Sequence, residues 1–314
     1  MKKRFFALTM AALMAVTVLT GCGSKEETLD KLTFTYVTAP LNVPSIIEKE
    51  KGVFAKTFEE DGISVEYAEL TSGADQTQAL ASGDVQVLYA VGATSVILSA
   101  ANGADIKVLN MYSRSPEAFC LFSQDTALTS PESLRGKTIA GPAGTILHEL
   151  LVAYLASADM TINDVNYLNM SIPEAKAALD GGSIDVAMLA GAAAYTAKLQ
   201  GLSLVTDGTD LVDATIAVAV TEAFYNAHPE IIEKLKKAQD EISAFIKENE
   251  EEALQITAET LDLDISAVEE MFQQYDFSTE LTEADKNSFQ KTADFMFEND
   301  MIETELDVNT LFFE

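Results

Sequence analysis

Residues 79–92 read Ala-Leu-Ala-Ser-Gly-Asp-Val-Gln-Val-Leu-Tyr-Ala-Val-Gly, and residues 178–191 read Ala-Leu-Asp-Gly-Gly-Ser-Ile-Asp-Val-Ala-Met-Leu-Ala-Gly. The two stretches align without a gap. Each reads as a helix end, a glycine stop, a buried strand and a glycine exit. Gly83 ends the first helix and Gly182 the second, since glycine suits the left-handed position after a helix. The apolar runs at 85–90 and 184–189 have the composition of strands covered on both faces. Both runs then leave on Gly and Ala, where backbone without bulky side chains approaches a ligand closely.

Outward from the first copy, the chain alternates strand and helix. Residues 32–37 form a strand that ends in the turn-rich Thr38-Ala39-Pro40-Leu41-Asn42. Pro44 starts a helix whose apolar stripe runs through Ile46, Ile47, Val53, Phe54 and Phe58 as far as Gly62. Ile63, Val65 and Tyr67 alternate with polar residues in a second strand, and Ser72-Gly73 opens the helix that stops at Gly83. The second copy repeats this plan. A strand at 136–140 leads through Gly141-Pro142-Ala143-Gly144-Thr145 to a helix at 146–158, then a strand at 165–170 and a helix at 173–179. A β-α-β-α-β order made twice predicts two mostly parallel sheets flanked by helices. Strands are also expected at 106–112, 117–123, 202–205 and 214–220. From Pro229 the pattern is helical, with a stripe of Ile231, Leu235, Ala238, Ile242 and Phe245, a Ser266–Glu269 capping box, and a last helix marked by Phe289, Ala293 and Met296.

At 314 residues the chain holds two domains of ordinary size. Its 50 acidic residues against 20 Lys plus Arg give a net charge of −30, which argues against nucleic acid as a partner. Met1-Lys2-Lys3-Arg4 followed by the apolar residues 5–19 reads as a secretory leader too short to span a bilayer. Leu19-Thr20-Gly21-Cys22 resembles a bacterial lipobox, which makes Cys22 a lipidation site, residues 1–21 a signal peptide and 22–30 a tether. Cys120, the other cysteine, reads as a small core residue, so neither a disulfide framework nor a metal cluster is expected.

Gly52-Val53-Phe54, Gly62-Ile63-Ser64-Val65-Glu66, Ser72-Gly73 and Ala79-Leu80-x-x-Gly83-Asp84 resemble solute-binding lipoproteins of bacterial ABC importers. The group is that of the nitrate, taurine, aliphatic sulfonate and thiamine-precursor binding proteins. Ser133-Leu134-Arg135-Gly136-Lys137-Thr138-Ile139, Gly144-x-x-x-His148, Ala178-Leu179-x-x-Gly182-x-x-Asp185 and His228-Pro229-Glu230 extend the similarity over nearly all of the mature chain. The resemblance implies a two-lobed type II periplasmic-binding-protein fold with the ligand in the cleft between lobes. It places residues 30–115 and 219–314 in the first lobe and 116–218 in the second. It implies a permease and an ATPase as partners, no cofactor, and a monomer tethered outside the cytoplasmic membrane.

Open parallel sheets take ligands at the carboxyl ends of their strands. The candidate ligand residues therefore cluster at strand exits: Thr38, Pro40 and Asn42; Ser72 and Gly73; Val91, Gly92, Ala93 and Thr94; Gly144, Thr145, Ile146 and His148; and Ala190 with Gly191. A helix start at 145–146 offers free N–H groups and a dipole to an anion. Ile146 and Leu147 depart from the hydroxyl-rich start of sulfonate binders and suit a more apolar ligand. Arg114 is the one arginine in a hinge position; a bidentate bond to a ligand carboxylate or sulfonate competes there with an ion pair inside the protein. Glu149 is expected to face solvent. No nucleophile, P-loop or metal motif is present, and only His148 among the histidines stands near the cleft, so binding is expected rather than catalysis. An enzyme on the same fold and a sensor partner are the two other readings.

Overall fold

The computed structural model describes residues 29–313. The expected leader, lipobox and most of the tether lie outside the described residues. β1 (Lys31–Thr35) leads through the 36–42 loop to α1 (Val43–Lys51) and α2 (Val53–Glu59). The single helix expected here is two helices. Gly52 adopts φ +62°, its N–H bonds to the Glu48 carbonyl, and the chain restarts at Val53. β2 (Ser64–Ala68), α3 (Gly73–Ser82), β3 (Leu88–Gly92), α4 (Ala93–Ala101) and β4 (Lys107–Arg114) complete the first pass. The second pass runs β5 (Phe119–Ser123), β6 (Thr138–Gly141), α5 (Ile146–Ala156), β7 (Asn166–Asn169), α6 (Ile172–Asp180), β8 (Val186–Ala190), α7 (Gly191–Leu199) and β9 (Ser203–Asp207). β10 (Thr215–Val220) returns, followed by α8 (Glu222–Ala227), α9 (Pro229–Glu248), α10 (Glu250–Leu261), α11 (Ile265–Phe272) and α12 (Glu283–Glu298).

The strands build two sheets on one plan. In the second, the order is β7-β6-β8-β5-β9, with β6 parallel to β7 and β8 and with β5 antiparallel to β8 and β9. In the first, β1 pairs in parallel with β2, and β10 lies antiparallel between β3 and β4. A parallel Phe34–Val87 bridge joins these pieces into the order β2-β1-β3-β10-β4. Each sheet thus has four strands of its own plus one antiparallel strand that follows a crossing from the other lobe. The expected parallel character holds for β1 with β2 and for β6 with β7 and β8; the strands inserted after the crossings are the exception. The second crossing is complete by Thr215, so all of β10 belongs to the first sheet, ahead of the boundary expected at 218.

The repeated strands also start later than their apolar runs. Val85 and Val87 are buried before β3 begins, because Gln86 bonds through its side chain to the Thr33 N–H and Val87 bridges to Phe34. Gly83 takes φ +82° and Gly182 φ +66°, although Gly181 is the residue that directly follows α6. No Ser266–Glu269 capping box forms: α11 begins at Ile265 behind Asp264. The stripe of α9 is buried at Ile231, Leu235, Ala238 and Ile242, with Ile246 closing it and Phe245 half-buried. Phe289, Ala293 and Met296 are buried on α12. Cys120 is buried and free, and burial pushes its thiol up to about 12.

An aromatic chain crosses the first lobe. Phe34 stacks on Phe54 at 4.5 Å, Phe54 meets Tyr89 edge-on at 5.2 Å, and Tyr89 meets Tyr112 at 5.0 Å. Against it sits Glu48, 1% exposed, accepting from the Tyr67 hydroxyl at 2.8 Å and the Phe54 N–H at 3.1 Å. Burial raises its pKa to about 7; the Tyr67 and Phe54 bonds and Lys49 offset this only in part.

A carboxyl that holds its proton more tightly when folded stabilises the fold below the unfolded-state pKa and loses that contribution as pH rises through the folded value. Wild-type stability is therefore expected to fall by roughly 3 kcal/mol between about pH 4.5 and pH 7.5 on account of this group. Glu48→Gln keeps both hydrogen-bond acceptor contacts and should flatten that part of the profile in urea titrations at the two pH values.

Candidate functional site

The carboxyl ends of the two sheets face each other, and the helices that follow them start at the seam. A β-bulge aims one of these exits. β10 pairs Ala217 with Val91 and Val218 with Tyr89, so Ala90 is left over, and it adopts φ +79°. The extra residue turns the backbone just before Val91, Gly92, Ala93 and Thr94.

Two pairs of exits meet. On one side, Gly191 has φ +54°, and a side chain there would place its Cβ 1.7 Å from the Pro40 carbonyl oxygen. The backbone of the loop after β1 thus lies directly on the end of β8. On the other side, a Cβ at Gly92 would stand 3.2 Å from the Ile146 Cδ1. Ser95 Oγ donates to the Gly144 carbonyl at 2.9 Å, and Leu98 packs against Gly144, which has φ +66°. The structure therefore brings Pro40, Gly92, Thr94, Gly144, Ile146 and Gly191 into the contact between lobes. Ala93, Thr94, Ile146 and Ala190 are buried there.

The start of α5 is held from behind. Asn169 Oδ1 accepts the Ala143 N–H at 2.9 Å, Thr145 Oγ1 donates to the Pro142 carbonyl, and the Tyr167 hydroxyl donates to the Gly141 carbonyl. His148 accepts the Gly144 N–H at Nδ1, 3.2 Å away, and stacks on Tyr167 with ring centroids 5.0 Å apart. Burial lowers its pKa, which keeps the ring neutral with its proton on Nε2. His148 shapes the loop. Asn42 does similar work in the first lobe: its Nδ2 donates to the Val37 and Ala39 carbonyls while its Oδ1 is buried without a protein donor.

The helix starts differ in a way that matters for anions. Ser72, Ser171, Thr221 and Thr282 each accept an N–H of their own helix. α4, α5 and α7, which begin at the seam, have no side-chain cap. The other helices without one, α2 and α9 to α11, follow closely on a preceding helix, and α1 directs the Ser45 N–H to the Tyr112 hydroxyl. The N–H groups and positive dipole ends of α4, α5 and α7 are therefore left without an internal acceptor side chain.

Several expected site residues have other duties. Arg114 uses all of its donors within the protein. Nε and Nη2 hold the two Asp285 oxygens at 2.6 and 2.8 Å, Nη1 bonds to Ser278 O and Oγ, and Nη2 also reaches the Glu280 carbonyl. Its backbone exchanges two bonds with Asp276, so β4 is stapled to the segment before α12 at the hinge. Ser72 caps α3, and Gly73 makes room for Ser95: a Cβ there would lie 1.9 Å from the Ser95 Oγ. Thr38 gives its carbonyl to the Asn42 N–H. Glu149 is not solvent-facing. It is buried, and its two oxygens accept from Thr94 Oγ1 at 2.5 Å and Thr292 Oγ1 at 3.1 Å. Ser95, Asn169 and Tyr167 were absent from the expected set; only Ser95, adjoining Thr94, carried a local signal.

Among the described residues no helix is long and apolar enough to cross a membrane, and no group of His, Cys, Asp or Glu is placed to hold a metal. The profile of a family described as NMT1/THI5 like matches residues 41–253. A putative aliphatic sulfonates-binding protein of Bacillus subtilis is 27% identical, over 98% of this chain and 93% of its own. The taurine-binding periplasmic protein of Escherichia coli is 29% identical, over 62% of this chain and 60% of its own. Among solved structures, the alkanesulfonate-binding protein SsuA from Xanthomonas axonopodis pv. citri bound to MOPS superposes with a TM-score of 0.82, at 19% identity, over 90% of this chain and 98% of that one.

Because Arg114 serves the fold, Arg114→Met should cost about 3 kcal/mol of stability with no solute present, by urea unfolding, since it strands the buried Asp285. Because Gly191 faces backbone, Gly191→Ala should cost about 1–3 kcal/mol in the same assay. An unchanged midpoint for either variant would contradict its role.

Proposed function

The chain belongs to the NMT1/THI5-like family, and from that premise we propose that it is the solute-binding component of an ABC importer, closing its two lobes on a small organic solute and delivering it to a permease. The observation that carries this reading is the convergence of α4, α5 and α7, from both lobes, on one seam of small residues without side-chain caps. Their N–H groups suit an acidic head group such as the sulfonates bound by the relatives. Ile146 supplies an apolar surface for the body of the solute. With Arg114 committed to Asp285, the Thr94 hydroxyl proton to Glu149 and the Thr145 hydroxyl proton to the Pro142 carbonyl, the head group is held by backbone donors, not by a guanidinium clamp.

The remaining parts follow the same reading. Thr38, Pro40 and Asn42 form the loop against which the solute lies in the first lobe, with the Asn42 Oδ1 as acceptor. Gly92, Ala93, Thr94, Gly144, Thr145, Ile146, Ala190 and Gly191 form the rest of the wall. Cys22 carries the lipid that tethers the protein outside the membrane, and the permease is served by its ATPase. We read the chain as a binder and not a catalyst, a reading supported by His148, whose Nδ1 and ring face are taken up by Gly144 and Tyr167.

Native mass spectrometry of protein purified from its host should show a co-purified small solute. A panel of alkanesulfonates of rising chain length, taurine and nitrate should raise the melting temperature and compact the protein in solution scattering, the longer chains most strongly. If no member of a broad metabolite panel shifts melting, the import reading fails.

A further inference from the structure

We propose that Glu149 is a proton-linked latch between the lobes, so that closing buries its carboxyl against Thr94 and Thr292 and takes up a proton from solvent. This rests on the reading above only in requiring that the two lobes separate and close. Glu149 lies on α5 in the second lobe, 5% exposed. Both of its partners come from the first: Thr94 from the first turn of α4, and Thr292 from the middle of α12. The two hydrogen bonds therefore span the gap and exist only when it is shut. Thr94 is also a wall residue, so the latch and the solute share one element.

The surroundings make the charged form costly. The hinge crossing presents Asp213, which pairs with Lys291 of α12 at 3.5 Å. Asp294 and Glu298 of α12 line the same cavity of about 470 Å³, which also reaches Glu149. α4 offers only the Thr94 and Ser95 hydroxyls, and burial lowers the pKa of the neighbouring His148, which disfavours a positive charge there. Burial raises the Glu149 pKa; the two threonine bonds and Lys291 pull it down, Asp213 pushes it up, and the balance is a raised value. A protonated carboxyl keeps both contacts, because a threonine hydroxyl accepts as readily as it donates. When the lobes part, Glu149 meets water and returns towards an ordinary carboxyl. A group with a higher pKa closed than open favours the closed form as pH falls and releases it as pH rises.

The test is hydrogen exchange of the full chain with no solute added, from about pH 8 to about pH 5 and corrected for intrinsic rates. Segments 91–96 and 144–150 report the seam; segments 31–35 and 138–141 report the sheets. In the wild type, seam protection relative to the sheets should grow as pH falls, by at most tenfold per pH unit, the limit for one proton. Glu149→Gln, which keeps an acceptor for Thr94 and a donor for Thr292, should show the same seam protection at every pH. Thr94→Val should lower seam protection throughout with the sheets unaffected. A pH-independent seam in the wild type overturns the latch, as does a Glu149→Gln variant that retains the wild-type pH dependence or a Thr94→Val variant with full seam protection. Since no solute is present, failure of the import reading would show in the melting panel and leave this result standing.

Discussion

The backbone carbonyl of Pro40 lies where a side chain at residue 191 would be, and much of the molecule is arranged around that approach. Peptide-to-glycine contact brings two lobes closer than side chains permit. Its counterpart, Gly92 against Ile146, is softer: the neighbour is the end of a side chain, which yields to another rotamer. One exit pair is therefore a hard stop and the other an adjustable wall. The adjustable wall is also where the uncapped α4 and α5 meet, so shape can change there while the donors stay in place.

The acidic character of the chain divides sharply by burial. Among the described residues, Glu48, Glu149 and Asp285 are the buried acidic groups. Asp285 has a guanidinium and a threonine cap, which outweigh the effect of burial and hold its pKa below the ordinary value. Glu48 and Glu149 have only neutral donors at hydrogen-bonding distance, and both are pushed up. A hydroxyl satisfies an oxygen without neutralising it, so these two hold their protons to higher pH than an ordinary carboxyl, while Asp285 gives its proton up sooner.

The repeated phrase at 79–92 and 178–191 made the two-sheet plan legible, because helix stops and strand exits are local features written in glycine. Its limits were equally physical. The late start of β3 depends on Gln86 and Val87 reaching back to β1, and the bulge at Ala90 depends on β10, more than a hundred residues onward. The expectation of where the wall lies came from fold symmetry, since the parallel strands of both copies exit towards the same seam, whereas the antiparallel β5 and β10 run the other way. Glu149 was misplaced, and the two readings of Arg114 stayed open, because their partners, Thr292 and Asp285, belong to a helix whose position no local pattern revealed. His148 stood at the right place in a different role, since stacking on Tyr167 turns it from a ligand contact into a brace.

The crossings carry one more consequence. Residues 115–118 and 208–214 run side by side, so closely that a Cβ on Gly208 would sit 2.4 Å from the Pro116 carbonyl oxygen. The second sheet is made from one unbroken stretch, β5 to β9, whereas the first lacks its antiparallel β10 until that whole stretch has been threaded out and back. On a chain made from its amino terminus, the half begun first is finished last. The second lobe can complete its pairings while β3 and β4 still have no strand between them, and those two open edges await a segment that emerges only after the second lobe is whole.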